Sequence, residues 1–338
     1  MRFIILFFVA FAMISRPAFA ASFEAPAINE AQWTEQKSAP GVLTPAMVKL
    51  QVLLDRSRYS PGEIDGKAGE NVDKAVAGYA AAHGAAAGSG MTADLWRVLS
   101  EAFKEPVIIE YKISETDVKG PFAEKLPTKM EDMKDLQALS YTSAKEKLSE
   151  QFHMSPELLV ALNPNSKFDK PGEAIMVANV LSEKLQEKVA RIEIDKTKQT
   201  MKVYGNSKTL LAMYPVTAGS KDKPAPDGVL KVTSVVKNPT YRYNPEYAFK
   251  GVKSKVPFTI KPGPNNPVGA VWIGLNKEGY GIHGTPEPSK VSKSESHGCI
   301  RMTNWDAMQL ASALGKATPV EFIGDERDRA ARKGQLKR

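Results

Sequence analysis

Apolar and polar positions follow two rhythms along this chain, and the change from one to the other divides it. Between Ala46 and Asp55, apolar residues (Met47, Val48, Leu50, Val52, Leu53, Leu54) recur at helical spacing. The same period predicts a second helix from about Asn71 to Ala82 and a third over Thr92–Phe103. The turn Pro61-Gly62-Glu63-Ile64-Asp65-Gly66 separates the first two, and Gly88-Ser89-Gly90 separates the last two. From Val189 the rhythm shortens to that of strands: Val189–Asp195, Thr200–Tyr204, Thr209–Val216, Val229–Val236, Val256–Ile260, Ala270–Leu275 and Thr318–Ile323. Asp195-Lys196-Thr197-Lys198-Gln199 reads as a turn between the first two of these. Thr303 and Asp306 form a capping-box pattern opening a helix through Leu314, which Gly315 closes.

The first residues break both rhythms. Met1-Arg2 is followed by a twelve-residue apolar run, Phe3 to Ile14, then Pro17 and the small-x-small Ala18-Phe19-Ala20. The run is too short to span a bilayer, so residues 1–20 read as a secretory signal peptide and the mature chain as exported, with no membrane span. The length of 338 residues suggests two or three domains. With 42% hydrophobic and 25% charged residues, the chain can bury a sizeable core, which excludes a wholly disordered or collagen-like protein. The formal charge of +8 suits an anionic surface but selects no function by itself.

The single cysteine changes the picture more. It excludes an intramolecular disulfide and a multi-cysteine zinc site. Cys299 lies in Ser296-His297-Gly298-Cys299-Ile300-Arg301; in an extended segment His297, Cys299 and Arg301 share one face. A nearby cation favours the nucleophilic thiolate, and Gly298 leaves room for a substrate beside the sulfur. A second histidine, His283, ends the glycine-punctuated Gly279-Tyr280-Gly281-Ile282-His283-Gly284-Thr285. A Cys/His pair needs the base within hydrogen-bond reach of the thiol and a third group to orient the base. Spacing leaves open which of His283 and His297 is that base. Cys299, His283 and His297 show no standard metal-ligand spacing, so no metal or cofactor is expected. His83 and His153 read as helix-surface or packing residues.

His283-Gly284-Thr285 and Ser296-His297-Gly298-Cys299-Ile300-Arg301 together resemble the YkuD-type L,D-transpeptidase catalytic domain family. Supporting matches are Tyr214-Pro215-Val216-Thr217-Ala218-Gly219, the turn Pro224-Ala225-Pro226-Asp227-Gly228, and Asn266-Pro267-Val268-Gly269 through Trp272-Ile273-Gly274-Leu275. The resemblance implies a β-rich, sandwich-like catalytic domain over 189–323 with one C-terminal helix. It also implies an enzyme whose cysteine attacks the diamino acid–D-alanine bond of a peptidoglycan tetrapeptide stem. The resulting thioester passes to an amine acceptor that the sequence does not name. Cys299 is then the nucleophile, His283 the base and the Gly284 carbonyl its orienter, with His297 a second base candidate or part of the oxyanion side. Ser296, Gly298, Arg301, Thr285 and Tyr280 become substrate-binding candidates. A hydrolase of the same fold and a non-catalytic wall-binding protein are the alternatives.

Residues 44–105 resemble a three-helix peptidoglycan-binding module. Residues 140–182, with Leu148, Phe152, Leu158, Leu159, Asn163-Pro164 and Pro171-Gly172, resemble a LysM-like glycan-binding module that lacks its usual Gly-Asp-Thr opening. Residues 21–43 and 106–139 read as linkers and 324–338 as a charged tail. The expected architecture is multidomain α+β: a small helical N-terminal module, an α/β linker module, and the β-rich catalytic domain. The expected partners are peptidoglycan stem peptides and glycan in the periplasm, with no nucleic acid.

Overall fold

The computed structural model describes residues 23–34, 39, 41–86, 90–180, 184–220, 223–247, 252–294 and 298–324. The signal-peptide expectation for residues 1–20, the tail from 325, and Ser296 and His297 lie outside them. Four helices come first: α1 (Ala25–Asn29), α2 (Pro45–Arg56), α3 (Glu70–Ala82) and α4 (Ala93–Glu101). Thr44 and Thr92 open α2 and α4 by accepting from the backbone N–H groups of Met47 and Leu95, donors that have no partner within the helix.

The chain continues through β1 (Ile108–Lys112), α5 (Glu115–Val118), α6 (Ala144–Gln151), α7 (Pro156–Leu162) and β2 (Ala174–Ala178). β1 pairs antiparallel with β2, Ile108 opposite Ala178. The segment 106–139, expected to be a linker, therefore supplies a strand and a helix to the module that follows it. Its charges and prolines conceal a five-residue strand that is buried at one end only. Residues of both modules, Leu53, Ile64, Leu148 and Leu159 among them, belong to one hydrophobic core.

The remaining strands are β3 (Arg191–Asp195), β4 (Thr200–Tyr204), β5 (Leu210–Pro215), β6 (Thr217–Ala218), β7 (Gly228–Lys237), β8 (Tyr241–Tyr243), β9 (Phe258–Ile260), β10 (Val271–Leu275), β11 (Gly281–His283), β12 (Ile300–Arg301) and, after helix α8 (Asn304–Ala311), β13 (Pro319–Ile323). Nine of them form one sheet in the order β5-β4-β3-β13-β7-β10-β11-β12-β6. The two edge strands, β5 and β6, are separated in sequence by Val216 alone, so the sheet curls until its edges nearly meet. Gln199 bridges the seam: its carbonyl accepts from Val216 N at 3.0 Å and its Oε1 from Ala218 N at 2.7 Å. The enclosed core includes Ile192, Ile194, Val271, Ile273, Ile282, Ile300, Leu310 and Phe322.

The N-terminal modules dock on this domain through buried polar contacts. Ser60 N donates to Met213 O at 2.9 Å and Met213 N to Arg58 O at 2.8 Å. Ser60 Oγ donates to Asp306 on α8 at 2.9 Å. His153, expected to be a surface or packing residue, is a buried packing residue: its ring stacks on Trp305 with centroids 5.0 Å apart, and its Nδ1 lies 3.0 Å from Asp55. Burial, with Asp55 nearby, pushes the Asp306 carboxyl up to about 7, and burial does the same for Glu150 on α6.

These two carboxyls set a pH prediction. Their folded values lie above their unfolded ones, so the folded state holds the extra protons and its advantage is lost as pH rises from about 4 to about 7. The thermal midpoint should fall over that window, and Asp306→Asn should flatten part of the fall. An unchanged slope in the variant, measured by scanning calorimetry, would refute the assignment. Gly78 gives a second prediction: a Cβ there would stand 2.3 Å from Met213 Sδ, across the contact between α3 and β5. Gly78→Val should therefore lower the midpoint by several degrees, as roughly 1–3 kcal/mol of overpacking does.

Candidate active site

β11 and β12 lie side by side in parallel, Ile282 opposite Ile300 and His283 opposite Arg301. Paired residues in a sheet share a face, as do residues two apart along a strand. Cys299, immediately before β12, therefore projects to the same side as Arg301 and His283. The thiol is half-buried, with Sγ 3.5 Å from Gly279 O. Gly298 before it has φ +96°, a conformation that L side chains rarely adopt, and a Cβ there would meet the Tyr280 ring at 3.2 Å. On the other side of β11, Trp272 lies across Gly281, where a Cβ would come within 2.5 Å of the indole, and stacks on the His283 ring with centroids 5.9 Å apart.

His283 is buried, and its Nδ1 lies 2.6 Å from Gly284 O. A carbonyl only accepts, so Nδ1 carries the proton and Nε2 keeps its lone pair. Burial, with a contribution from the Arg301 charge, pulls the imidazole down to about 4, against the smaller opposing effect of the Gly284 carbonyl. Burial also pushes the Cys299 thiol up, and the Gly281 backbone, Arg301 and Lys223 only partly offset it. At neutral pH the pair is thus thiol and neutral imidazole. Arg301 reaches Ser294 Oγ with Nη1 at 3.3 Å.

The structure brings Cys299, His283, Gly284, Gly298, Arg301 and Tyr280 to one place. Thr285 is buried, and its Oγ1 accepts from Glu287 N at 3.2 Å, which ties it into the turn after His283. Two neighbours of the thiol were not anticipated from the sequence: Tyr241, whose hydroxyl burial and Cys299 push up, and Lys223. Neither lies in a recognisable motif, and only the fold draws them in. A groove of about 770 Å³ adjoins the site, lined by Lys196, Gln199, Ala218, Pro224, Ser294 and, from α3, Glu70. Among the described residues no cluster of three His, Cys, Asp or Glu side chains is arranged to hold a metal ion.

Residues 189–322 match the YkuD family, described as the L,D-transpeptidase catalytic domain. A putative L,D-transpeptidase, YkuD of Bacillus licheniformis, is 27% identical over 52% of this chain and 92% of its own length. Another, YqjB of Bacillus subtilis, is 36% identical over 34% of this chain, which spans 61% of that relative. The catalytic domain of the Enterococcus faecium L,D-transpeptidase, solved by NMR, aligns with 41% of this chain and 99% of its own at 24% identity and a TM-score of 0.31. The matched segment holds the whole curled sheet, α8 and the Cys299–His283 face: residues 189–322 are an L,D-transpeptidase catalytic domain of the YkuD family.

Proposed function

We propose that this chain is a cysteine-dependent L,D-transpeptidase of peptidoglycan that works outside the cytoplasm. The observation that carries the reading is the single face of β11 and β12 on which Cys299 and His283 stand, with the Gly284 carbonyl holding the imidazole so that Nε2 is free to take the thiol proton. In the first step Sγ attacks the carbonyl carbon of the diamino acid at stem position three while its proton moves to His283 Nε2. The backbone N–H of Cys299, presented through the positive φ of Gly298, is suited to receive the developing oxyanion. Collapse breaks the bond to the terminal D-alanine, whose amine leaves with the proton from His283. An acceptor amine then gives a proton to His283 and attacks the thioester, which restores the thiol.

A neutral starting pair suits this sequence, because no charge is buried until the substrate arrives. Arg301 lies near both reacting groups and favours the anionic character that sulfur gains as its proton departs. The adjoining groove is a place for the stem or the acceptor, and Lys196 and Glu70 offer it both charge signs. The three-helix segment 44–105 and the LysM-like module supply contacts to the wall in this reading, and the leader-like residues 1–20 supply export.

Incubation with disaccharide-tetrapeptide, followed by mass analysis, tests the reaction. A dimer lacking one D-alanine is expected; bare tripeptide as the only product would mark a hydrolase, and unchanged substrate would refute catalysis. Cys299→Ala should fold normally and abolish turnover. His283→Ala should lose more of the acylation rate than His297→Ala, and the reverse result would move the base to His297. The pH profile is specific too. Because His283 is held near 4, kcat/KM should persist down to about that pH and fall below it. Alkylation of Cys299 by iodoacetamide should still be rising above the ordinary cysteine value of about 8.5. A plateau already reached at neutral pH would contradict the resting thiol.

A further inference from the structure

Asn304, the first residue of α8, is 2% exposed and stands directly behind the site. Its Oδ1 accepts from Ala270 N at 2.9 Å. A Cβ built on Gly269 or Gly284 would come within 2.1 or 2.2 Å of that same oxygen. The amide oxygen thus fills the space that two glycines leave, and one of them is Gly284, whose carbonyl orients His283. On the other side Asn304 Nδ2 donates to Pro264 O at 3.2 Å and to the two carboxylate oxygens of Glu150 at 3.1 and 3.0 Å. Glu150 belongs to α6, outside the matched catalytic domain. Tyr141 OH donates to it at 2.9 Å, and Asn265 Nδ2 pins the same helix through Glu146 Oε1 at 2.7 Å.

An asparagine amide can be turned end for end with almost no change of shape, so its orientation depends on its partners. The Ala270 N–H only donates, and the Glu150 carboxyl, which also takes the Tyr141 hydroxyl, keeps an acceptor oxygen for Nδ2 whether or not it carries its proton. Together they admit one orientation, Nδ2 towards Glu150 and Oδ1 towards Ala270. The flipped amide would set donor against donor at Ala270 and would take from Glu150 and Pro264 O the N–H groups they accept, with these groups buried. We propose that Glu150, supplied by the accessory module, is a positioning residue for His283: by fixing the Asn304 amide it holds the Gly269–Ala270 and Gly284 backbone on which the imidazole is set. The inference rests on His283 being the base, and it makes the catalytic domain dependent on a side chain beyond its own boundaries.

The test uses the full chain, wild type against Glu150→Ala and Glu150→Gln. Two readouts are taken: steady-state kinetics on disaccharide-tetrapeptide and the tautomer of His283 from ¹⁵N-histidine NMR, assigned with His283→Gln. Glu150→Ala should lower kcat about tenfold with KM within about twofold, and should turn the single Nδ1–H tautomer into a mixture. Glu150→Gln, whose amide oxygen still accepts from Nδ2, should recover kcat to within about threefold and restore the single tautomer. Wild-type kcat and tautomer in Glu150→Ala would overturn the proposal, as would equal losses in both variants with the tautomer unchanged. If Glu150→Ala does not fold, Glu150→Met keeps the volume without the acceptors and is read in the same way. Should the wild-type protein leave stem peptides untouched, the transpeptidase reading falls, while the tautomer still decides whether Glu150 positions His283.

Discussion

The parallel pairing of β11 with β12 is the constraint on which the site depends. It joins only two residue pairs, yet it sets His283 opposite Arg301 and places Cys299 on the same face. Parallel neighbours cannot be joined by a tight hairpin, so the chain between them must travel out and return. Ser292, Lys293 and Ser294, on that excursion, line part of the adjoining groove. So short a ladder holds its register only because its neighbours do: β10 fixes β11 on one side, and β6 pairs with β12 on the other. β6 in turn sits at the seam closed by Gln199. The curl of the sheet and the placement of Cys299 beside His283 are therefore one structural fact.

α8 links this arrangement to the rest of the molecule. Its first turn presents Asn304 towards the backbone beside His283, Trp305 towards His153, and Asp306 towards Ser60. Three consecutive side chains thus face the curled sheet's backbone and the two N-terminal stretches that hold Ser60 and His153. Carboxyls buried in such a junction are costly when ionised, which is why Asp306 and Glu150 both hold their protons to about 7. A contact built only to tether a domain would bury apolar surface instead. The polar character of this junction gives it directionality, since hydrogen bonds specify orientation where apolar contacts tolerate sliding.

Much of the fold was legible in the residues, for identifiable reasons. The helices at 45–56, 70–82 and 93–101 are long enough for their period to show, and the predicted strands from Val189 onward fall within a residue or two of β3, β4, β5, β7, β10 and β13. Cys299 and His283 stood out because glycines and charges surround them in a pattern no core strand needs. β1 was read as linker because five residues with one fully buried end carry too little alternation to register. Tyr241, Lys223, Asn304 and Glu150 were invisible for a different reason. Each acts through a neighbour distant in sequence, and local pattern holds no record of such contacts. The preference for His283 over His297 came from family resemblance; the spacing of the two histidines alone left it open.

The electrostatics of the resting site suit the proposed work outside the cytoplasm. Oxidants and disulfides attack thiolates, and susceptibility follows thiolate character and exposure. A catalytic cysteine kept permanently as thiolate, in an oxidising space and without another thiol in the chain to form a recoverable disulfide, would be exposed to irreversible oxidation. Here burial raises the thiol and keeps the imidazole neutral, so in the proposed reaction the anion forms only as the proton transfers to His283. Arg301 lessens the cost of that moment without removing the barrier at rest. The same burial that slows adventitious chemistry would make the proposed reaction depend on how well His283 is aimed. A precisely held Gly284 carbonyl is then the natural counterpart of a protected nucleophile.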